Sequence, residues 1–311
     1  MPAKPVVILG LFNADAVYRA ARQPKLGETV MGQDFRLEPG GKGSNQAVAA
    51  ARASGGPAVH FITRLGRDDF ARLARGVWQN AGVIPEVTED AQSHTGSAFI
   101  FIEAATGNNA IIVAPGAGGR IGPEDLDARA DLIRGAAVFV TQLEQPLAAA
   151  RRGLEIARAG GVTTILNPAP AAALDDDLLA LCDYITPNES EAELLTGLPV
   201  SSLPEAEAAA DALLARGVGA VVVTLGANGV LFRDRHRSLH VPVVRVGEVV
   251  ETTGAGDAFN GGFALALAEG RSVDEALRFG NATAGLSVTG PGAASAMPAR
   301  AEIDRLLASS G

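Results

Sequence analysis

The stretch Glu251-Thr252-Thr253-Gly254-Ala255-Gly256-Asp257-Ala258-Phe259-Asn260-Gly261-Gly262-Phe263-Ala264-Leu265 reads as a tight glycine turn that runs straight into a helix. Apolar residues at helical spacing carry that helix over 256–269, and a second follows over 273–288. Upstream, short β-branched runs at 6–9, 137–140, 162–166, 184–186 and 220–225 predict buried strands. The segments 147–159 and 204–216, lying between strands, again have helical spacing. Strands that alternate with helices in this way predict an α/β fold, with repeated β-α units around a largely parallel sheet.

One region breaks the rhythm. Residues 96–103 and 109–114 are two strand-like runs joined by Ala-Ala-Thr-Gly-Asn, which predicts a β-hairpin, and further strand signal lies at 11–18 and 29–37. The expectation is one domain over 1–311 with a small β appendage formed by insertions within 11–40 and 94–115. A lid over a cleft is a natural use for such an appendage. Phe99, Phe101 and residues 111–113 are expected to expose apolar faces there, which would be awkward in a monomer.

Composition bounds the function classes. With 47% hydrophobic and 20% charged residues the chain is ordinary for a globular protein, and a net charge of −9 argues against a nucleic-acid or membrane-surface partner. Any phosphate group must then be held locally, by N–H groups at helix starts, a few basic side chains or a divalent metal. Cys182 is the only cysteine, which excludes a disulfide or a cysteine metal site within one chain and predicts a buried thiol. The apolar run that begins at Val6 is too short for a signal peptide or a membrane span, so a cytoplasmic location is expected.

Two glycine-rich stretches fail as familiar motifs. Gly40-Gly41-Lys42-Gly43-Ser44 lacks the Gly-Lys-Ser/Thr order of a P-loop, because Gly43 intervenes. Gly254-Ala255-Gly256-Asp257-Ala258-Phe259 has Phe where a dinucleotide fingerprint needs its third glycine.

Their chemistry is different. A glycine turn at a helix start brings bare N–H groups to one point and favours negative charge, which suits a phosphoryl group in transit, and Asp257 beside it can take a proton from an attacking hydroxyl. The run from Gly40 to Gln46 opens a helix predicted over 47–53 and offers Lys42 and Asn45 as polar contacts. Asn13 and Asp15 follow the first strand, where α/β sheets place ligand groups, and an amide next to a carboxylate suits paired hydroxyls; an Asx-turn is the alternative. Glu144 stands similarly after the strand at 137–140, with helix capping as its alternative. Asn188 and Glu191 share one face of a helix start, where the carboxylate either holds waters on Mg²⁺ or completes an acidic first turn. Thr224-Leu225-Gly226-Ala227-Asn228-Gly229 ends a strand with glycines that permit close approach of a nucleotide, or form a hairpin turn.

In this order the stretches resemble the ribokinase family of carbohydrate kinases, also called PfkB-type kinases, over nearly the whole chain. Gly41-Lys42-Gly43-Ser44-Asn45-Gln46-Ala47 and Thr253 to Gly261 look like its two motifs, and Asn13-Ala14-Asp15, Thr141-Gln142-Leu143-Glu144, Asn167-Pro168-Ala169-Pro170 and Thr186-Pro187-Asn188-Glu189 look like its other segments. The resemblance implies a three-layer α/β/α fold with a small β-sheet lid, a homodimer formed through such lids, and ATP-dependent phosphorylation of D-ribose at its 5-hydroxyl. It implies sugar contacts from Asn13, Ala14, Asp15, Gly41, Lys42, Gly43, Asn45 and Glu144, with Asp257 as base and Gly254, Ala255 and Gly256 as N–H donors to the transferred group. Asn188, Thr224, Gly226, Gly229, Gly256 and Asn281 would line the ATP site and Glu191 would organise Mg²⁺ through water. A monovalent cation, usually K⁺, is implied at Glu251, Thr253, Ser287, Gly290, Gly292 and Ala296. Here the chain departs from the pattern, with Glu251 where Asp is general and Ala296 where Ser is common. Rival readings are a kinase of the same family for fructose, deoxyribose, adenosine or pseudouridine, and a non-catalytic regulator, against which the intact Asp257 and glycine turn stand.

Overall fold

Successive residues of a strand face opposite sides of its sheet, and along the central strands of this protein both sides are apolar. Val6, Ile8, Val138, Val140, Ile165 and Val222 belong to one buried cluster, whereas Val7, Leu9, Phe139, Leu166, Val221 and Val223 belong to another. A sheet buried on both faces needs helices on both. The computed structural model, which describes residues 3–244 and 246–309, has this three-layer arrangement. The extreme ends of the expected 1–311 domain and residue 245 lie outside the described residues.

The strands are β1 (Val6–Leu9), β2 (Asn13–Ala20), β3 (Asp34–Gly40), β4 (Val59–Leu65), β5 (Ile84–Glu89), β6 (Ser97–Glu103), β7 (Asn109–Ala114), β8 (Val138–Thr141), β9 (Thr163–Leu166), β10 (Tyr184–Ile185), β11 (Ala220–Thr224), β12 (Val230–Arg233) and β13 (Ser238–Val241). Nine form the central sheet in the order β13-β12-β11-β10-β9-β8-β1-β4-β5, parallel throughout except for the antiparallel edge β11-β12-β13. The helices Lys42–Ala53, Asp69–Ala81, Ala255–Ala268 and Val273–Ser287 bury residues in the first cluster, and Leu147–Ala159, Glu189–Thr196 and Leu203–Ala215 in the second.

The chain leaves β1 on one side to build β4 and β5 and returns on the other to build β8 to β11. That reversal opens a crevice at the carboxyl ends of β1 and β8, where α/β sheets bind ligands. Gly10 to Asn13, Gln142 to Glu144, Asn167, and Thr186 to Asn188 all follow carboxyl ends of central strands.

The other four strands form a smaller sheet in the order β3-β2-β6-β7. The hairpin expected at 96–103 and 109–114 is β6 and β7, with Phe99 opposite Ile112. The strand expected over 29–37 begins instead at Asp34, because its register is dictated by β2, which it pairs from Arg19↔Asp34 to Asn13↔Gly40. Phe101 is buried rather than exposed, while Tyr18, Phe35, Phe99, Ile111, Ile112 and Val113 are exposed. The helix expected from residue 47 starts at Lys42, so Lys42 to Asn45 form its first turn. Cys182 is buried, as expected. No helix among the described residues is long and apolar enough to cross a membrane.

Candidate active site

The switch-point crevice gathers groups that lie far apart in sequence. Gly41 caps the helix Lys42–Ala53 with φ 91°, and a Cβ there would lie 2.5 Å from the Leu11 carbonyl oxygen, so only glycine lets the helix start this close to β1. The Lys42 N–H, an orphan of that helix start, donates to Glu144 Oε2 at 2.7 Å. Glu144 thus caps a helix from the end of β8, and it stays aimed into the crevice.

Asp257 lies in the first turn of the helix Ala255–Ala268, whose cap Gly254 has φ 79°. Its carboxylate is buried and doubly held, Oδ2 accepting from Asn45 Nδ2 at 3.0 Å and Oδ1 from Gln46 Nε2 at 3.2 Å. Burial pushes its pKa up, against the pull of the Lys42 charge and the two amide donors. Burial pulls the Lys42 ammonium down, but the carboxylates of Asp257, Glu144 and Glu191 outweigh it and leave its pKa raised. One lysine therefore feels three acids from three different elements, all within the crevice.

Asn13 and Asp15 open β2 opposite Gly40 and Glu38. Asp15 is pushed up to about 7 by burial, then by Glu144 and Glu38. Glu144 also rises to about 7, from burial, although Lys42 opposes the rise. Asn13 Oδ1 and Asn45 Oδ1 are buried with no hydrogen-bond partner in the protein. Each such orphan costs about 1–3 kcal/mol, a cost that a ligand rich in hydroxyl donors removes. Ala14 is fully buried in β2, and Gly43 packs against Gly10, where a Cβ would lie 2.6 Å from the Gly10 Cα.

Of the three N–H donors expected at the glycine turn, that of Ala255 is turned onto the Thr252 carbonyl at 3.2 Å. Gly256 stays exposed at the helix start, where first-turn N–H groups lack intrahelical acceptors.

A second group lies beyond Lys42. Asn188 and Glu191 form a reciprocal capping box, Glu191 N–H donating to Asn188 Oδ1 at 2.8 Å and Asn188 N–H to Glu191 Oε2 at 2.9 Å. The first-turn reading of this pair describes the structure, since Glu191 caps the helix, and its carboxylate also faces the Lys42 and Asp257 charges. Asn188 bridges to Thr224, and the stretch from Thr224 to Gly229 is the hairpin turn between β11 and β12. A Cβ at Gly229, whose φ is 90°, would lie 2.8 Å from the carbonyl carbon of Pro242. Asn281 Nδ2 donates to the Val241 and Pro242 carbonyls, both at 3.1 Å, and so tethers the same strand end. Thr224, Gly226, Gly229 and Asn281 are thereby brought to one place.

Behind the glycine turn, Val288 C=O accepts from the N–H groups of Val250 (2.8 Å) and Glu251 (3.2 Å), and Glu251 Oε2 accepts from Gly292 N–H at 2.9 Å. The segments carrying Glu251, Ser287 and Gly292 are thus joined, and Glu251 is the one carboxylate among the six positions at which a monovalent cation is expected. No group of three or more His, Cys, Asp or Glu among the described residues is placed to hold a metal by itself.

Sequence reading left Gln46, Gln142, Asn167, Thr186 and Asn260 outside the set of site residues, yet all five are buried beside Asp257 or joined to it by hydrogen bonds. The available signal was polarity out of place, since Gln46 and Asn260 interrupt otherwise apolar helix faces and Gln142 and Asn167 directly follow strands.

Comparison with known proteins agrees with this geometry. The family model for pfkB family carbohydrate kinases matches residues 3–300. A ribokinase from Haemophilus influenzae is 41% identical over 300 residues, covering 96% of this chain and 97% of the relative. A deoxyribokinase from Salmonella typhi is 35% identical over 304 residues, covering 97% and 98%. The solved structure of Arabidopsis thaliana ribokinase complexed with ribose and ATP superposes with a TM-score of 0.94 at 32% identity, covering 98% of this chain and 99% of that one. With its two glycine-started helices meeting at the switch point and these likenesses running its full length, the chain belongs to the pfkB family of carbohydrate kinases.

Proposed function

We propose that this protein transfers the γ-phosphoryl group of ATP to the 5-hydroxyl of D-ribose, giving ribose 5-phosphate and ADP. The observation that carries the proposal is the buried Asp257 carboxylate at a glycine-capped helix start, beside the unpartnered oxygens of Asn13 and Asn45. Asn13, Ala14, Asp15, Gly41, Lys42, Gly43, Asn45 and Glu144 surround the sugar. Asp257 takes the proton of the 5-hydroxyl as its oxygen attacks the γ-phosphorus and the bond to ADP breaks, a role worth about 10² to 10⁴ in rate. The N–H groups of Gly254 and Gly256, at the positive end of the helix, face the charge on the transferred group. The nucleotide lies along Asn188, Thr224, Gly226, Gly229, Gly256 and Asn281.

Mg²⁺ would neutralise phosphate charge when bound, and Glu191, a buried carboxylate whose charge bears on Lys42 and Asp257, is the residue that would hold it through water. Glu251, Thr253, Ser287, Gly290, Gly292 and Ala296 are the residues that would hold a monovalent cation such as K⁺, whose charge would support the turn. The small sheet is a lid on a single kinase domain. Its contiguous rings, with Tyr18 4.9 Å from Phe35 and 5.7 Å from Phe99 between centroids, form the contact of a homodimer. Ribose and ATP are cytoplasmic metabolites, and the cytoplasm is the location that goes with this function.

A 2-deoxyribose acceptor is the second reading, supported by the deoxyribokinase relative. ADP release assayed over ribose, deoxyribose, fructose, adenosine and pseudouridine, with and without potassium, separates these readings. Highest kcat/KM on ribose is expected, and no turnover of any acceptor would revive a non-catalytic regulator. In the same assay Asp257→Asn is expected to lower kcat by about 10² or more, and near-normal turnover with normal ribose binding would remove Asp257 as the base.

A further inference from the structure

Behind the proposed base runs a closed circuit of buried side chains. Gln142 Nε2 donates to Gln46 Oε1 at 2.5 Å, and Gln46 Nε2 donates both to Asp257 Oδ1 at 3.2 Å and to Asn167 Oδ1 at 3.1 Å. Asn167 Nδ2 donates to the Thr186 carbonyl at 3.0 Å, and Thr186 Oγ1 donates to Asn260 Oδ1 at 2.7 Å. Asn260 Nδ2 then donates to the Gly256 carbonyl at 2.9 Å, on the peptide bond that precedes Asp257. The circuit therefore leaves the carboxylate of Asp257 and returns to its backbone after crossing the ends of β9 and β10, with Gln142 at the end of β8 as a branch from Gln46.

Its direction is determined from Gln46 to Asn260. An amide that is buried and unflipped must have a donor opposite its oxygen and an acceptor opposite its nitrogen. Gln46 meets this condition only because Gln142 supplies a donor to its oxygen; turned over, it would set that oxygen against the Asp257 carboxylate. Gln142 is in turn confined by glycines, since a Cβ at Gly10 would lie 2.5 Å from Gln142 Oε1 and one at Gly43 would lie 2.9 Å from it. Gln46 and Gln142 are fully buried, and Thr186, Asn260 and Asn167 nearly so. Apart from Gln142 Oε1, which is buried with no partner in the protein, the side chains of the circuit are satisfied, and satisfied buried networks rigidify what they touch.

From this geometry we propose that Gln46 is a positioning residue for phosphoryl transfer. Held by Gln142 and Asn167, it aims the Asp257 carboxylate at the sugar hydroxyl and keeps it in the proton-accepting form. The inference rests on Asp257 acting as the base. Asn45 reaches Asp257 from the sugar side, whereas Gln46 reaches it from behind, so Gln46 acts on turnover rather than on sugar affinity.

The experiment compares wild type, Gln46→Leu, Gln46→Glu and Gln142→Met over a range of pH, reading kcat and the ribose KM separately. Lys42, Glu144 and Glu191 also bear on Asp257, and they are common to all four proteins, so the difference from wild type is the readout. Loss of a donor to the carboxylate favours its protonated form. Gln46→Leu is expected to lower kcat about tenfold at neutral pH and to move the acid limb of the kcat profile up by about one pH unit, which is tenfold in the ionisation constant. The ribose KM should stay within about twofold. Gln46→Glu, which sets a second carboxylate against Asp257, should move the limb further, and Gln142→Met should move it less in the same direction. An unmoved acid limb in Gln46→Leu and Gln46→Glu, or a KM that changes as much as kcat, overturns the inference. Should Gln46→Leu fail to fold, Gln142→Met decides alone, and an unmoved limb there overturns it too. Asp257→Asn tests the underlying reading apart from this, because near-normal turnover in that variant removes the base whatever the glutamine variants do.

Discussion

Substitution of Gly40 by alanine probes the sugar side of the crevice through a residue that carries no functional group. Gly40 ends β3 opposite Asn13, and a Cβ built on it would lie 2.6 Å from Asp15 Cγ and 2.8 Å from Asp15 Oδ1. Those separations are closer than real carbon contacts allow, so the Asp15 carboxylate must swing away. The Gly40 backbone has an ordinary negative φ, which alanine adopts freely, so the fold should survive. What is lost is a hydrogen bond from a sugar hydroxyl to a charged acceptor, about 1.5–3 kcal/mol, or roughly 10- to 150-fold in ribose affinity at 1.4 kcal/mol per tenfold. Calorimetric titration with ribose reads the affinity, and steady-state kinetics should show the change mainly in KM, since Asp257 and its partners are untouched. A double-mutant cycle makes the test strict. If Gly40→Ala acts by displacing Asp15, it should weaken binding little further in an Asp15→Ala background. Ribose affinity within twofold of wild type, or full additivity of the two changes, would refute the reasoning.

The raised pKa values of Asp15 and Glu144, both about 7, make ribose binding pH-dependent. Hydroxyl donors need ionised acceptors, so the ribose KM should fall as pH rises from 6 to 8, and an Asp15→Asn variant should lose much of that trend. For the ligand-free protein the sign is opposite, because carboxyls that hold protons more tightly when folded stabilise fully below their unfolded values and lose that contribution as pH rises through about 7. Thermal melts from pH 5 to 8 should show this loss, with a smaller loss when ribose is present. Gly254→Ala forces a left-handed φ on alanine, costing about 1–2 kcal/mol, and drives its Cβ to 2.9 Å from the Ala293 Cβ. A fall in kcat of at least tenfold with a nearly unchanged ribose KM is the expected result of that change. Light scattering at micromolar concentration should give a dimeric mass, and Ile112→Asp, on the exposed face of β7, should give the monomer.

Much of the central architecture could be read from the chain because a strand buried on both faces must be a short β-branched run, as at Val6–Leu9 and Ala220–Thr224. Val59–Leu65 and Ile84–Glu89 escaped the same reading. The first carries His60 and Arg64, and the second is an edge strand with Pro85 and mostly uncovered side chains, so neither has a continuous apolar signal. The Glu144 cap on the helix of Lys42 was equally hidden, since nothing local in either segment speaks of a bond across 102 residues.

The sequence by itself determined the alternation of strands and helices and the two glycine-rich helix starts, because propensity, turn chemistry and side-chain periodicity act over a few neighbouring residues. It also marked Asp257, Lys42, Asn45, Asn13 and Asp15, since polar groups at strand ends and helix starts stand out against an apolar background. Only the tertiary structure decided which oxygen of Asp257 meets which amide, that Lys42 faces three carboxylates, and that Gln46, Gln142 and Asn167 are joined by hydrogen bonds behind the base. Hydrogen bonds and Coulomb forces act on distances of a few ångströms, and those distances exist only once the sheet has brought β1, β8, β9 and β10 side by side.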